Sequence, residues 1–262
     1  MIGAIAGDII GSVYEFGRMK TKDFDVFTRG SRFTDDSVLT VALADAIMKG
    51  EDYAAAMRRI GRNYPASGYG THFYCWLMDD QAGPYDSWGN GSAMRVSPVG
   101  FAFDDEETVL AEAARTAVVS HNHPEGIKGA QATALAVFLA RKGRDREEIR
   151  AAIQGRFGYD LDRTVDEIRP DYAFNESCLR TVPEAIIAFQ ESTSYEDAVR
   201  NAISLGGDSD TLACIAGGIA QAHYGGVPGF ILEKVRAILT PQLWKITEEF
   251  CRRYDVPMTS DG

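Results

Sequence analysis

Apolar residues recur with helical spacing along most of this chain, and the alternating pattern of a half-buried strand is nearly absent. Gly50 is typical of the end of a helix, and Pro124 with Glu125 is typical of a first helical turn. The spacing therefore predicts an all-α fold. The predicted helices span residues 2–16, 36–49, 52–63, 105–119, 125–142, 145–157, 161–168, 182–190, 195–203, 209–223, 228–239 and 241–253.

One domain is expected over residues 1–262, because no internal repeat, low-complexity segment or linker interrupts the pattern. Residues 64–100 are rich in Gly, Pro, Tyr and Trp and carry no clear helical spacing. A connection of that length is long for a structureless loop, which favours a functional loop.

Three glycines, Gly3, Gly7 and Gly11, recur at every fourth residue of the first predicted helix. This spacing resembles a nucleotide-binding glycine-rich loop, but such a loop follows a strand, and none is predicted here. Because the glycines lie within a helical pattern, we interpret them as sites of close helix–helix packing.

Charge and composition limit the partners. The formal net charge of −11 argues against a surface for nucleic acid, which needs basic stripes. The four cysteines, Cys75, Cys178, Cys214 and Cys251, are far apart and are expected to be reduced and mostly buried. The first residues lack the basic region of a signal peptide, and no apolar run reaches membrane-spanning length. We expect a cytoplasmic protein without a membrane partner.

Acidic residues cluster at the starts of two predicted helices. Thr34–Asp36 precede the helix at 36–49, and Asp208, Asp210 and Thr211 begin the helix at 209–223. Each cluster taken alone is typical of helix capping, because Asp and Thr accept backbone N–H bonds and the helix dipole favours negative charge there. The small residues of the second helix predict that it is central and tightly packed.

Taken together, the two clusters indicate a metal site if the helix starts meet in space. Four carboxylates so placed would repel one another unless a cation lay between them. All-oxygen ligands suit Mg²⁺, Mn²⁺ or Ca²⁺ and disfavour zinc. The helix N-termini are expected to keep the carboxylates ionised.

Five motifs in order along residues 7–220 resemble the ADP-ribosylglycohydrolase family, which includes the dinitrogenase reductase-activating glycohydrolases and the ADP-ribosyl-acceptor hydrolases. The motifs are GDIIGSVYEF, FTDDS, WGNGSAMRVSP, SHNHPEGIKGA and LGGDSDTLACIAGGIA. The resemblance implies a compact orthogonal helical bundle with a binuclear centre of two Mg²⁺ or Mn²⁺ ions. It also implies hydrolysis of the bond between ADP-ribose and an acceptor.

The resemblance also assigns residues. The residues that match the family's metal ligands are Thr34, Asp35, Asp36, Asp208, Asp210 and Thr211. Glu15 matches an acidic residue that lies on a mobile loop over the site in part of the family. The run from Gly89 to Arg95 resembles the loop that holds the diphosphate and distal ribose, and His121 matches a histidine near the substrate. The substrate-binding residues that the resemblance implies are Gly89, Asn90, Gly91, Ser92, Ala93, Met94 and His121.

The side chains around that loop allow more than one interpretation. Gly89 and Gly91 can bring backbone N–H groups close to a phosphate. Tyr85 and Trp88 are suited to stacking on adenine or, equally, to anchoring the loop. His121 and His123 are also consistent with a loop that enters a helix, and no third soft ligand beside them favours zinc.

For the reaction itself, cleavage at the ribose C1″ passes through an oxocarbenium-like state. Asp35 and Asp36 are the preferred catalytic residues, with Glu15 in support. The expected partners are ADP-ribose and ADP-ribosylated proteins or small molecules, with nucleic acid only as a modified substrate. Resemblance to the nitrogenase-regulating members slightly favours arginine as the acceptor over serine, a nucleobase or O-acetyl-ADP-ribose.

Three alternatives to the glycohydrolase stay open at the level of sequence. The first is a module that binds ADP-ribose without turnover, which the intact ligand set disfavours. The second is a metal-dependent phosphohydrolase of ADP-ribose-like diphosphates, which would release AMP. The third is a scaffold with a structural metal site.

Overall fold

The computed structural model describes residues 1–260, which contain fifteen helices, two isolated β-bridges and no strand. The predicted all-α fold is confirmed. The predicted single domain over 1–262 stays a prediction, and its last two residues lie outside the described range. The helices are α1 Ile2–Gly11, α2 Asp35–Lys49, α3 Tyr53–Gly61, α4 Thr71–Met78, α5 Gly91–Met94, α6 Ser97–Ala102, α7 Glu106–Val118, α8 Pro124–Arg141, α9 Arg146–Phe157, α10 Val165–Ile168, α11 Cys178–Gln190, α12 Tyr195–Ser204, α13 Ser209–Tyr224, α14 Gly229–Ile238 and α15 Pro241–Arg253.

Helices α1 and α13 form an antiparallel pair at the centre of the fold, and every residue of α1 is buried. The pair is closely spaced because glycines face backbone. A Cβ at Gly3, Gly7 or Gly11 would lie 2.4, 2.0 or 2.5 Å from atoms of α13. Side chains other than hydrogen would force the helices apart, so the interpretation of these glycines as packing sites is confirmed.

The antiparallel direction of this pair determines what lies at each end. Gly3 contacts Gly217, whereas Gly11 contacts Ser209 and Asp210 at the start of α13. The C-terminal end of α1 therefore meets the N-terminal end of α13, where the second acidic cluster lies. Helices α8, α11 and α12 pack around α13, and α2 packs against α1, α3 and α15.

Three predicted boundaries are wrong. Helix α10 begins at Val165 rather than at residue 161, because Thr164 caps it. Helix α1 ends at Gly11 rather than at residue 16, and Phe16 is 80% exposed instead of continuing the buried stripe. Helix α11 begins at Cys178 rather than at residue 182, because Ser177 caps it and the helix tolerates Pro183 in its interior. Proline lacks the backbone N–H, but packing of the buried face outweighs the loss of one backbone hydrogen bond.

The segment at 64–100 is also more regular than its sequence predicts, since it contains α4, α5 and α6. These helices have only four to eight residues, too few to give a clear periodic pattern.

All four cysteines are free; Cys178, Cys214 and Cys251 are buried, while Cys75 is exposed. Among the described residues, none of the helices is both apolar and long enough to cross a lipid bilayer.

Candidate active site

A cavity of about 520 Å³ opens where the C-terminal end of α1 meets the N-terminal ends of α2 and α13. Segments 66–73 and 85–95 form its other walls, so the glycine- and tyrosine-rich stretch does line the candidate site. The residues proposed from sequence that line it are Glu15, Thr34, Asp35, Asp36, Gly89, Asn90, Gly91, Met94, His121, Asp208, Asp210 and Thr211.

At the start of α13, three carboxylates converge. Oxygens of Glu15, Asp208 and Asp210 all lie within 4.8 Å of one another. Asp208 occupies the N-cap position, but its side chain caps no backbone N–H. Its Oδ2 instead accepts a hydrogen bond of 2.8 Å from Asn90 Nδ2. Asp208 therefore does not act as a simple helix cap.

At the start of α2, the capping function belongs to Thr34, whose hydroxyl accepts a hydrogen bond from the Asp36 N–H at 3.3 Å. The carboxylates of Asp35 and Asp36 are left for other interactions. Thr211 Oγ1 lies 3.5 Å from Asp36 Oδ1, which joins the two helix starts. Asp36 Oδ2 is buried without a hydrogen-bond partner. The condition that the two clusters meet in space is therefore fulfilled.

Asp8, in the middle of α1, fixes the start of α2 and was not identified from the sequence as a site residue. Its carboxylate accepts hydrogen bonds from the Thr34 N–H at 2.9 Å, the Thr34 hydroxyl at 2.6 Å and the Ser37 N–H at 3.1 Å. The Ser37 hydroxyl donates to it as well. A charged residue in an otherwise apolar helix was the available signal, because a buried carboxylate requires donors.

Burial raises the pKa of Asp8, and burial together with neighbouring carboxylates raises the pKa values of Glu15, Asp35, Asp36 and Asp210. Burial, followed by the charge of Asp8, raises the pKa of Asp35 and of Asp36 well above the ordinary value. Burial and the charge of Asp208 do the same to the pKa of Asp210 and raise that of Glu15 to about 7. The pKa of Asp8 rises to about 6 through burial, despite its hydrogen bonds.

Burial and the neighbouring charges thus oppose the ionisation that the helix N-termini favour at Asp35, Asp36 and Asp210. Within residues 1–260, no salt bridge involves any carboxylate of the two clusters or Glu15. Hard oxygen donors, one of them buried without a partner, fit a divalent cation such as Mg²⁺ or Mn²⁺. Such a charge would compensate the repulsion and favour the ionised forms.

In the glycine turn, residues 89–94, two of the first four backbone N–H groups are already engaged. The Gly89 N–H donates to Ser87 Oγ, and the Asn90 N–H donates to the Glu176 carbonyl. In the described part of the chain, the N–H groups of Gly91 and Ser92, at the start of α5, make no hydrogen bond. They are the free donors of this turn.

Two residues of the proposed loop do not reach the cavity with their side chains. Ser92 is buried, and its hydroxyl donates to the Gly126 carbonyl at 2.7 Å. Ala93 is buried in the core. A direct substrate contact by either side chain is therefore not supported, because the short helix turns both inward.

Some of the aromatic and histidine side chains line the cavity, and others stabilise the surrounding structure. Tyr85 lines the cavity beside His121, with ring centroids 5.8 Å apart, whereas Trp88 is 51% exposed and lies outside the cavity lining. His123 Nδ1 accepts from the Glu125 N–H and so caps α8. The interpretation of His123 as part of a loop entering a helix is thus correct.

Further cavity residues carried no recognisable pattern in the sequence. Arg32, Phe174 and Glu176 lie on irregular segments and reach the cavity only through tertiary packing.

Comparison with known proteins gives consistent results. A family model described as ADP-ribosylglycohydrolase matches residues 1–259. The chain is 27% identical to the ADP-ribosylhydrolase ARH3 of Mus musculus, over 86% of this chain and 82% of that protein. It is also 27% identical to the ADP-ribosylarginine hydrolase Tri1 of Pseudomonas putida (strain GB-1), over 90% of this chain and 72% of that protein.

Among solved structures, an ADP-ribosylglycohydrolase-related protein complex superposes with a TM-score of 0.70 and 23% identity, over 98% of this chain and 97% of that chain. This likeness supports the fold.

Proposed function

This chain belongs to the ADP-ribosylglycohydrolase family, and we propose that it is a metal-dependent hydrolase that cleaves the glycosidic bond between ADP-ribose and an acceptor. The product is free ADP-ribose. One observation carries the proposal: the carboxylates of α2, α13 and Glu15 converge in one cavity. Capping alone gives no reason for that convergence.

The proposed metal ligands are Thr34, Asp35, Asp36, Asp208, Asp210 and Thr211, with two Mg²⁺ or Mn²⁺ ions as cofactors. Bound divalent cations would stabilise developing negative charge and lower the pKa of water. Asn90 orients Asp208, and Asp8 orients Thr34 through the hydrogen bonds described above. These partners hold the ligand oxygens in place before a cation arrives.

The proposed proton acceptor for the attacking water is a carboxylate of the α2 start. Both residues line the cavity, but Asp36 is buried and already contacts Thr211, whereas Asp35 is half-buried. Asp35 is therefore the better placed of the two for contact with water and substrate. Glu15, which lines the same cavity, supports it.

The substrate's diphosphate is proposed to lie against the glycine turn, where the N–H groups of Gly91 and Ser92 are free to donate. With backbone donors at the diphosphate, cations held by the carboxylates would be available to the terminal ribose. A phosphohydrolase would instead need cations that bridge phosphate oxygens. Because the turn offers donors that can bind a diphosphate without a cation, cleavage at C1″ is favoured.

Arginine is the slightly favoured acceptor. The cavity is lined by Glu15, Glu176 and Phe174, and the exposed ring of Phe16 stacks against Phe174 with centroids 6.0 Å apart. Carboxylates and aromatic faces are groups that bind a guanidinium. Serine would make no comparable use of them.

The test is a panel of defined ADP-ribosyl linkages, on arginine, serine, a nucleobase and acetate, hydrolysed in ¹⁸O-water and analysed by mass spectrometry soon after mixing. We expect intact ADP-ribose with label in the C1″ hydroxyl, loss of turnover with EDTA and recovery with Mn²⁺ or Mg²⁺. Labelled AMP without ADP-ribose would establish the phosphohydrolase instead. Binding of ADP-ribose without any product would establish the non-catalytic module.

A further inference from the structure

Arg95 is a buried cation in the lining of the candidate cavity, and it has no anionic partner among the described residues. The side chain is fully buried, and none of the salt bridges in residues 1–260 includes it. Nη2 donates to the Thr116 carbonyl at 2.9 Å and to Ser120 Oγ at 3.0 Å, while Nε and Nη1 have no partner. Burying such a charge is costly, so a purely structural purpose is a poor explanation.

The hydrogen bonds from Arg95 continue to His121 in a fixed direction. Ser120 Oγ lies 2.8 Å from His121 Nδ1. A guanidinium only donates, so the Ser120 oxygen accepts from Arg95, and among the described residues the Ser120 hydrogen has no acceptor other than Nδ1. Nδ1 is then the acceptor, and the neutral ring carries its hydrogen on Nε2.

The surroundings of His121 favour the neutral ring. Burial and the positive charge of Arg95 hold the pKa of His121 well below its ordinary range. The groups that face the imidazole are the rings of Phe73 and Tyr85, with centroids 6.3 and 5.8 Å away, and the Ser120 hydroxyl. None of these stabilises an imidazolium as a carboxylate would.

His121 Nε2 faces the glycine turn. A Cβ at Gly91 would lie 2.9 Å from Nε2, and a Cβ at Gly89 would lie 3.6 Å from it. His121 lines the cavity with both glycines, and among the described residues Nε2 has no hydrogen-bond partner. Glycine at position 91 therefore leaves room for the ring as well as for a ligand.

We propose that Arg95 and Ser120 are positioning residues that hold His121 in the tautomer whose Nε2–H points into the cavity, where it donates to an oxygen of the bound diphosphate. The identity of the ligand rests on the proposed function, whereas the hydrogen-bond relay does not. Arg95 acts through Ser120 and need not touch the substrate.

The relay is tested first in the ligand-free protein. Long-range ¹H–¹⁵N correlation spectra of uniformly labelled protein report the tautomer of each histidine, and the His121 signals are identified by their loss in His121→Gln. We expect a neutral ring protonated at Nε2 throughout pH 6–8. A ring protonated at Nδ1, or a charged ring at pH 7, would overturn the relay.

The ligand contact is tested with Ser120→Ala, which removes the relay hydroxyl but leaves Arg95 and His121. Ser97→Ala is the matched control, because the Ser97 hydroxyl is equally buried and has no hydrogen-bond partner. In Ser120→Ala we expect a mixture of His121 tautomers and about tenfold weaker ADP-ribose binding by calorimetry, with kcat changed less than KM. Ser97→Ala should retain both wild-type properties.

The outcomes distinguish failure of the hydrogen-bond relay from failure of the proposed function. Unchanged tautomer and affinity in Ser120→Ala would refute the positioning role. A wild-type protein with the expected tautomer that binds no ADP-ribose, with or without Mg²⁺, would refute the proposed function while the relay stood.

Discussion

Replacing Gly7 by alanine should separate α1 from α13 and so weaken both the fold and the metal site. The added Cβ at position 7 would lie 2.0 Å from the Ala213 carbonyl oxygen, with the Ala213 carbonyl carbon and Cys214 nitrogen at 2.4 and 2.9 Å. Ordinary contact begins near 3.4 Å, so the helices must move apart by roughly 1.4 Å locally. Backbone atoms cannot rotate away as a flexible side chain can.

The expected loss of stability follows from two opposing effects. Overpacking of a tight interior costs about 3 kcal/mol, and alanine recovers about 1 kcal/mol of helix propensity relative to glycine. The net change is a decrease of about 2 kcal/mol in the free energy of unfolding. That is a substantial part of the ~5–15 kcal/mol available to a typical domain, but it leaves the chain folded.

The same displacement should impair metal binding, because α1 leads to Glu15 while α13 carries Asp208 and Asp210. Their oxygens now lie within 4.8 Å of one another. We expect Mn²⁺ affinity to fall by about tenfold or more, as for other changes to the support of metal ligands.

The assays are urea unfolding of the metal-free protein, followed by circular dichroism, and calorimetric titration with Mn²⁺. Gly155→Ala is the matched control, since Gly155 lies in α9 with nothing within 4 Å of a Cβ. It should gain about 1 kcal/mol with unchanged Mn²⁺ affinity. The reasoning is refuted if Gly7→Ala is as stable as Gly155→Ala, or if both bind Mn²⁺ like the wild type.

Three further predictions concern the acidic site. Asp208→Asn, like Asp35→Asn, should keep the fold but sharply reduce divalent-cation binding, checked by elemental analysis against an expected two ions per chain; full occupancy would contradict the ligand assignment. Asp8→Asn replaces an acceptor of four hydrogen bonds from Thr34 and Ser37 and should cost about 2 kcal/mol in urea unfolding, with weaker Mn²⁺ binding. The raised pKa values of Asp8 (about 6) and Glu15 (about 7) mean that the folded state holds protons the unfolded state releases near pH 4. The melting temperature of the metal-free protein should therefore fall as pH rises from 4 to 7, and added Mg²⁺ should raise it more at pH 8 than at pH 6; scanning calorimetry that finds the opposite trend would refute the assignment.

The two acidic clusters could be recognised in the sequence because each is a short run of residues at the start of one helix. Thr34–Asp36 and Asp208–Thr211 each stand at the start of a helix with strong apolar spacing, so both their type and their local position could be inferred. The glycines of α1 likewise indicated close packing, since glycine at every fourth helical position leaves one face bare.

Segments with short or irregular structure were harder to predict. Helices α4, α5 and α6 are too short for periodicity to identify, and the end of α1 at Gly11 depends on the turn that carries Glu15 away from the helix axis. The inward orientation of Ser92 and Ala93 is set by packing against α8, which no local pattern encodes.

The amino-acid sequence determines the helical class, the two acidic helix starts and the glycine face of α1. Each of these depends on periodicity or residue type over a few neighbouring positions. Packing was needed to establish that α1 and α13 run antiparallel, so that Glu15 meets Asp208 and Asp210, and that Asp8 holds the start of α2 against them. The relay from Arg95 through Ser120 to His121 likewise became visible only in the folded chain. The acidic site joins residues up to about two hundred positions apart, and the hydrogen bonds and charges that make it exist only after the helices have packed.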